Sequence, residues 1–149
     1  MWGTVYSLAR VLLPILFIVE GFGKFADVGG IARMLQTSNL PVPAQLEAIG
    51  VSRFVLLGYL IALIEVVCGL MVLLGYRTRF AALLLALFVA GTIVVAHPFW
   101  AMEGQIRALN QTLALNQTLA LKNLSIIAGL LIVAALGPGR YSLDGRRRG

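Results

Sequence analysis

The sequence has 149 residues, of which 60% are hydrophobic and only 12% charged, and its mean hydropathy is +0.93. A soluble domain carries about twice that charged fraction, so the composition excludes one and leaves room for a single transmembrane domain over residues 1–149. The net charge of +6 excludes little by itself. Its distribution argues against nucleic acid, because Arg146, Arg147 and Arg148 form a terminal run and most other basic residues sit at the rims of apolar runs.

Taken in chain order, the first apolar run predicts a helix over 5–25. Pro14 is set to kink it, and Gly21 and Gly23 thin its end for close packing. The N-terminus has a single basic residue, Arg10, and no small-residue cleavage site, so this run is expected to stay attached. An outer connection, 26–53, follows. Ile31, Met34 and Leu35 have helical spacing within it, which suits a short interfacial helix or one packed turn of a solvated connector. Asn39-Leu40-Pro41-Val42-Pro43 ends that pattern.

The second run predicts a helix over 54–74, long enough to cross a core of about 30 Å, with Glu65 as its only charge. Residues 75–79 read as a tight turn. The third helix, expected over 80–96, carries no charge and stops at His97-Pro98. The fourth, over 122–136, opens with Lys122-Asn123 and stops at Gly137-Pro138-Gly139. The predicted fold is all-α, an integral membrane four-helix bundle in the lipid bilayer.

Ahead of the fourth helix the hexamer LNQTLA occurs twice without change, over 109–120. Six residues turn a helix by about 600°, so the two copies lie about 120° out of phase. The stretch is expected to extend the fourth helix outward or to form a surface helix, and to be a tolerated duplication. Asn110, Asn116 and Asn123 each begin an N-x-S/T triplet, read as accidental.

Four spans put both termini and the 75–79 turn on one side. That side holds Arg10, Arg77, Arg79, Arg140, Arg146, Arg147 and Arg148. The other holds Lys24, Arg33, Arg53, Arg107 and Lys122. Seven basic residues against five predict cytoplasmic termini.

The charges inside the runs are the candidate site. A charge in the hydrocarbon core costs about 3 kcal/mol on insertion scales, so it is kept where it pairs, faces a cavity or does chemistry. Glu20 and Lys24 are one turn apart on one helix face. Glu65 lies about 18 Å along its helix from Arg53, near the midplane. His97, Lys122 and Asn123 come to the same outer half of the bundle. Each has a plain structural reading too: Glu20 and Lys24 neutralise each other, His97 is an interfacial residue beside Phe99 and Trp100, and Glu65 is ion-paired to Lys24 or Lys122. Lone Cys68 reads as a packing residue and supplies no dithiol. One His and one Cys without ligand spacing indicate no metal site, and His97 alone would leave a haem short of a ligand.

In order, Arg10…Phe17…Gly21…Lys24, Glu65…Gly69-Leu70…Leu74-Gly75…Arg79, His97-Pro98-Phe99-Trp100, Lys122-Asn123-Leu124…Gly129-Leu130-Leu131 and Gly137-Pro138-Gly139…Tyr141-Ser142-Leu143-Asp144 resemble the DoxX family. The resemblance implies a bacterial inner-membrane protein associated with membrane redox systems, since some relatives are subunits of thiosulfate:quinone oxidoreductase or partners of detoxifying oxidoreductases. The duplicated hexamer and Glu20 depart from the family pattern.

The leading expectation is an accessory subunit of a quinone-linked or oxidative-stress system, inactive alone and dependent on a protein partner for electrons. Lys122 or His97 would hold a quinone oxygen and Glu65 would exchange the proton. A structural or assembly subunit is the alternative. A small transporter or proton pathway through Glu20 and Glu65 is third, since no pair of broken helices supports it.

Overall fold

The computed structural model describes residues 2–38, 51–97, 107–139 and 141–146, leaving out the side chains of 107–111 and 146. The expected Asn39–Pro43 break, the Pro98-Phe99-Trp100 rim and the side chains of Arg107, Arg140 and Arg146 through Arg148 lie outside these. All regular structure among the described residues is helical. Four segments are long and apolar enough to cross a membrane: Trp2–Ala26, Arg53–Leu74, Thr78–Ala96 and Thr112–Leu136.

The first span is two helices, α1 (Trp2–Leu12) and α2 (Ile15–Ala26), broken at Pro14. Proline has no N–H to donate and its ring crowds the preceding turn. Helix α3 (Val28–Thr37) follows at once, its first turn capped by Asp27, whose carboxylate accepts from Gly30 N–H at 2.9 Å. Ala32 and Leu35 are buried and α3 packs on α4, so the short helix suggested by Ile31, Met34 and Leu35 is present.

Helix α4 (Arg53–Leu74) ends at Gly75, whose φ of 72° lies in the left-handed region. Its N–H and that of Tyr76 return to the last carbonyls of α4. Helix α5 (Thr78–Ala96) starts directly after Arg77, a non-glycine residue with φ 43°. Helix α6 (Arg107–Leu136) is continuous over 30 residues. It runs about four turns beyond the apolar segment 122–136, and of the two arrangements expected for the duplicated hexamer this is the outward extension, since its Leu, Ala and Gln propagate helix. A four-residue turn, α7 (Leu143–Arg146), closes the chain.

Helix α5 packs most extensively on α6, and α2 on α4. The α2–α4 crossing is close at Gly21, where a Cβ would meet Val66 Cγ2 at 2.6 Å and the Ala62 carbonyl at 3.0 Å. The core is built from Phe17, Cys68, Val72, Ala81, Ala82, Leu85, Ala86, Val89, Leu130 and Val133. Large apolar residues such as Val19, Phe22, Leu63, Leu87, Leu124 and Ile132 face outward, as a lipid solvent requires.

At the end shared by both termini, Arg10 is only 2% exposed. Its guanidinium donates to the carbonyls of Val72 (2.7 Å), Leu73 (3.0 Å) and Tyr141 (2.6 Å). Two of these are carbonyls in the last turn of α4, of which Val72 O also accepts from Gly75 N–H at 3.2 Å, so a charge from α1 caps a neighbouring helix. Tyr6 donates to the Gly137 carbonyl, and Asp144 N–H to that of Gly75 at 3.1 Å. Sequence reasoning gave Arg10 only a topological role. Its distant backbone partners become visible only in three dimensions.

Candidate functional site

Halfway up the opposite part of the bundle lies a cavity of about 120 Å³. All six candidate residues, Glu20, Lys24, Glu65, His97, Lys122 and Asn123, line it, with Phe17 and Phe88 among the apolar walls. At about 30 Å³ per water the space is that of about four waters.

Lys24 is the hub. Its ammonium lies 2.7 Å from Glu65 Oε2 and 3.0 Å from Oε1, and 3.6 Å from Glu20 Oε2 on the turn before it. Only the contact to Oε1 has hydrogen-bond geometry, so Oε2, although close to the charge, lacks a directed donor. Glu65 is 5% exposed at its side chain, Lys24 20% and Glu20 57%. Of the two lysines considered for Glu65, Lys24 is therefore its partner. Gly21 makes the pair reachable, since any larger residue there would push α2 away from Glu65.

Helix α6 contributes differently. Asn123 is 8% exposed and its carboxamide makes no hydrogen bond among the described residues. Lys122 beside it has no ion pair or hydrogen bond among them. His97, at the C-terminal end of α5, meets Asn116 of α6 with Nδ1···Oδ1 at 3.0 Å. The Asn116 amide nitrogen is committed to the Thr112 carbonyl at 3.1 Å, so its oxygen must accept from His97. That assigns the neutral ring a proton on Nδ1 and a lone pair on Nε2.

Asn116 was missed as a site residue. It belongs to the second copy of the hexamer, which was read as tolerated sequence. The available signal was its spacing of seven from Asn123, two turns along one helix face. The packed face of α6 runs from Val133 and Leu130 through Asn123 and Ala120 to Asn116, so the second copy is part of the bundle.

A second cavity, of about 290 Å³, is almost wholly apolar and shares Lys24, Phe88 and Thr92 with the first. Ile31, Met34 and Leu35 of α3 line it with Leu57 and Ile61 of α4. A polar chamber thus abuts an apolar one across Lys24, the arrangement that suits an amphipathic ligand.

A four-span helical membrane protein with a charged chamber in one half of the bundle is the class that fold and site define. The chain belongs to the DoxX family, whose model matches residues 5–98, including Glu20, Lys24, Glu65 and His97 and stopping short of Lys122 and Asn123. It is 36% identical to "Inner membrane protein YqjF" of Escherichia coli (strain K12) over 136 residues, 91% of this chain and 86% of that one. It is 29% identical to "Inner membrane protein YphA" of the same organism over 93% of this chain and 87% of that one. "Putative oxidoreductase CatD" of Bacillus subtilis (strain 168) is 31% identical over 87 residues, 58% of this chain and 55% of that one. No solved structure matches the chain.

Proposed function

We propose that the polar chamber binds the head group of a quinone and that the chain is a membrane accessory subunit of a quinone-linked redox system. The observation that carries this reading is the pair of free polar groups that α6 presents to the chamber, the carboxamide of Asn123 and the exposed Lys122, neither of which has a partner among the described residues. Both groups can meet a ligand in the chamber without giving up a protein partner. Lys122 and the Asn123 amide can donate to quinone oxygens, while the Asn123 oxygen and His97 Nε2 can accept from quinol hydroxyls. The adjoining apolar chamber suits a hydrocarbon tail. CatD is described by its name as an oxidoreductase, which supports redox chemistry without naming a substrate.

A quinone supplies the redox couple, two electrons and two protons converting it to the quinol. The electrons come from a protein partner, so the chain is not active alone. Lys122 and Asn123 orient the head group, and Glu65, held by Lys24, gives or takes a proton at the chamber floor. The location that goes with this reading is the bacterial inner membrane with cytoplasmic termini. The two Escherichia coli relatives and the seven-to-five distribution of basic residues support it.

The test is gentle purification, quantification of co-purifying quinone, and titration of the stripped protein with a short-tailed quinone. Asn123→Leu and Lys122→Met should leave the fold intact, because neither side chain has a partner among the described residues. Each should weaken binding about tenfold, the loss of one charge-assisted or buried hydrogen bond. Equal binding by both variants and wild type would overturn the site. A second reading, an assembly subunit in which the charges only hold helices together, is favoured by the Lys24–Glu65 contact, which joins α2 to α4 by itself at 2.7 Å. A stoichiometric protein partner with no quinone would select it.

A further inference from the structure

The other end of α5, about 28 Å away along the helix axis, carries features that the quinone reading does not use. A cavity of about 240 Å³ opens there, lined by Arg77, Thr78, Arg79, Phe80, Pro138 and Asp144. Thr78 is 0% exposed and its hydroxyl has no hydrogen-bond partner among the described residues. The first bond of the α5 ladder runs from Ala81 N–H to Arg77 O at 3.2 Å, and no side chain caps the helix. The N–H groups of Thr78, Arg79 and Phe80 therefore precede the ladder, at the positive end of a 19-residue dipole.

We propose that this cavity is a binding site for a phosphate group, with the Thr78 hydroxyl and the opening N–H groups of α5 as neutral donors and Arg77 and Arg79 as the cations. A buried hydroxyl, uncapped helix N–H groups and two guanidinium groups are donors, and together they call for an anion with several acceptor oxygens. Asp144 opposes the anion, which sets the affinity below what two arginines alone would give. Its carboxylate forms no ion pair with Arg77 or Arg79. Phe80 and Tyr141 are exposed at this end, where aromatic side chains mark the headgroup level of a bilayer. The phosphate has two available sources, the headgroup of an anionic lipid and the free ion.

The experiment uses the full chain in neutral detergent. Thermal stability is followed during titration with phosphatidylglycerol, phosphatidylcholine and inorganic phosphate, and lipid retention is read by native mass spectrometry. Wild type should be stabilised by phosphatidylglycerol well beyond phosphatidylcholine. Thr78→Val and Arg79→Gln should each weaken that binding about tenfold, and Asp144→Asn should strengthen it about threefold. Without ligand, Thr78→Val should be no less stable than wild type, since it replaces an unpartnered buried hydroxyl by a methyl group. Inorganic phosphate that competes with the lipid identifies the free ion as a source; failure to compete at equal occupancy assigns the site to the headgroup. Unchanged lipid binding in both Thr78→Val and Arg79→Gln overturns the proposal.

Discussion

The carboxylate of Glu65 and the ammonium of Lys24 lie where neither could remain alone. Removing one member of such a buried pair costs about 3–5 kcal/mol, whereas replacing both by apolar groups is close to neutral. Lys24→Met should therefore lower thermal stability sharply and Lys24→Met/Glu65→Leu should recover most of it, as a double-mutant cycle in detergent would measure. Glu65→Gln nearly preserves shape. Retained redox activity of the partner complex with Gln at 65 would remove Glu65 from proton transfer. The six candidate residues were legible because a polar side chain inside an apolar run is anomalous in the sequence alone. Asn116 was not, since it stands among polar neighbours and matters only because His97 lies across from it.

At the scale of the element, the duplicated hexamer is informative because its two copies are identical. Deleting either gives the same chain, in which one Asn still stands seven residues before Asn123. The His97 contact should then persist, and the loss should be about 9 Å of helix farther out. We expect this deletion to change stability by less than about 1 kcal/mol, within the range of changes away from buried networks. Asn116→Ala should cost about 1 kcal/mol and release the His97 tautomer, visible as altered imidazole nitrogen resonances. A deletion that disturbs those resonances as strongly as Asn116→Ala would show that the His97 contact needs the full length of α6 and not only the copy next to Leu121. The same hexamers carry α6 about four turns beyond its apolar segment. Apolar periodicity marks where a helix is buried, while the backbone hydrogen bonds of α6 continue outward through residues of high helix propensity.

For the whole molecule, the two ends of the bundle differ in how they are held. One end is clasped by Arg10, which joins α1 to the end of α4 and to Tyr141. Arg10→Ala leaves three carbonyls without that donor and should destabilise the protein by about 3 kcal/mol, given about 1.5–3 kcal/mol for a hydrogen bond to a charged group and partial rescue by water. Unfolding in a denaturing detergent would measure it, and a loss below about 1 kcal/mol would mean the clasp is redundant. The other end keeps its polar groups around a chamber, where Asn123 and the exposed Lys122 have no partner among the described residues. That contrast suits a bundle whose helices are tied together at the Arg10 end and surround an open polar chamber at the other.

The sequence by itself determined the all-helical membrane fold, because the cost of exposing backbone and charge to hydrocarbon acts on each segment wherever its neighbours lie. It also determined which residues were out of place, including Glu65, Lys24 and Lys122. Only the tertiary structure decided their partners: Lys24 rather than Lys122 for Glu65, Asn116 for His97, and backbone carbonyls for Arg10. Ion pairs and hydrogen bonds depend on angstrom-scale distances between helices, and those distances are set by features such as the close crossing at Gly21 that no single segment encodes.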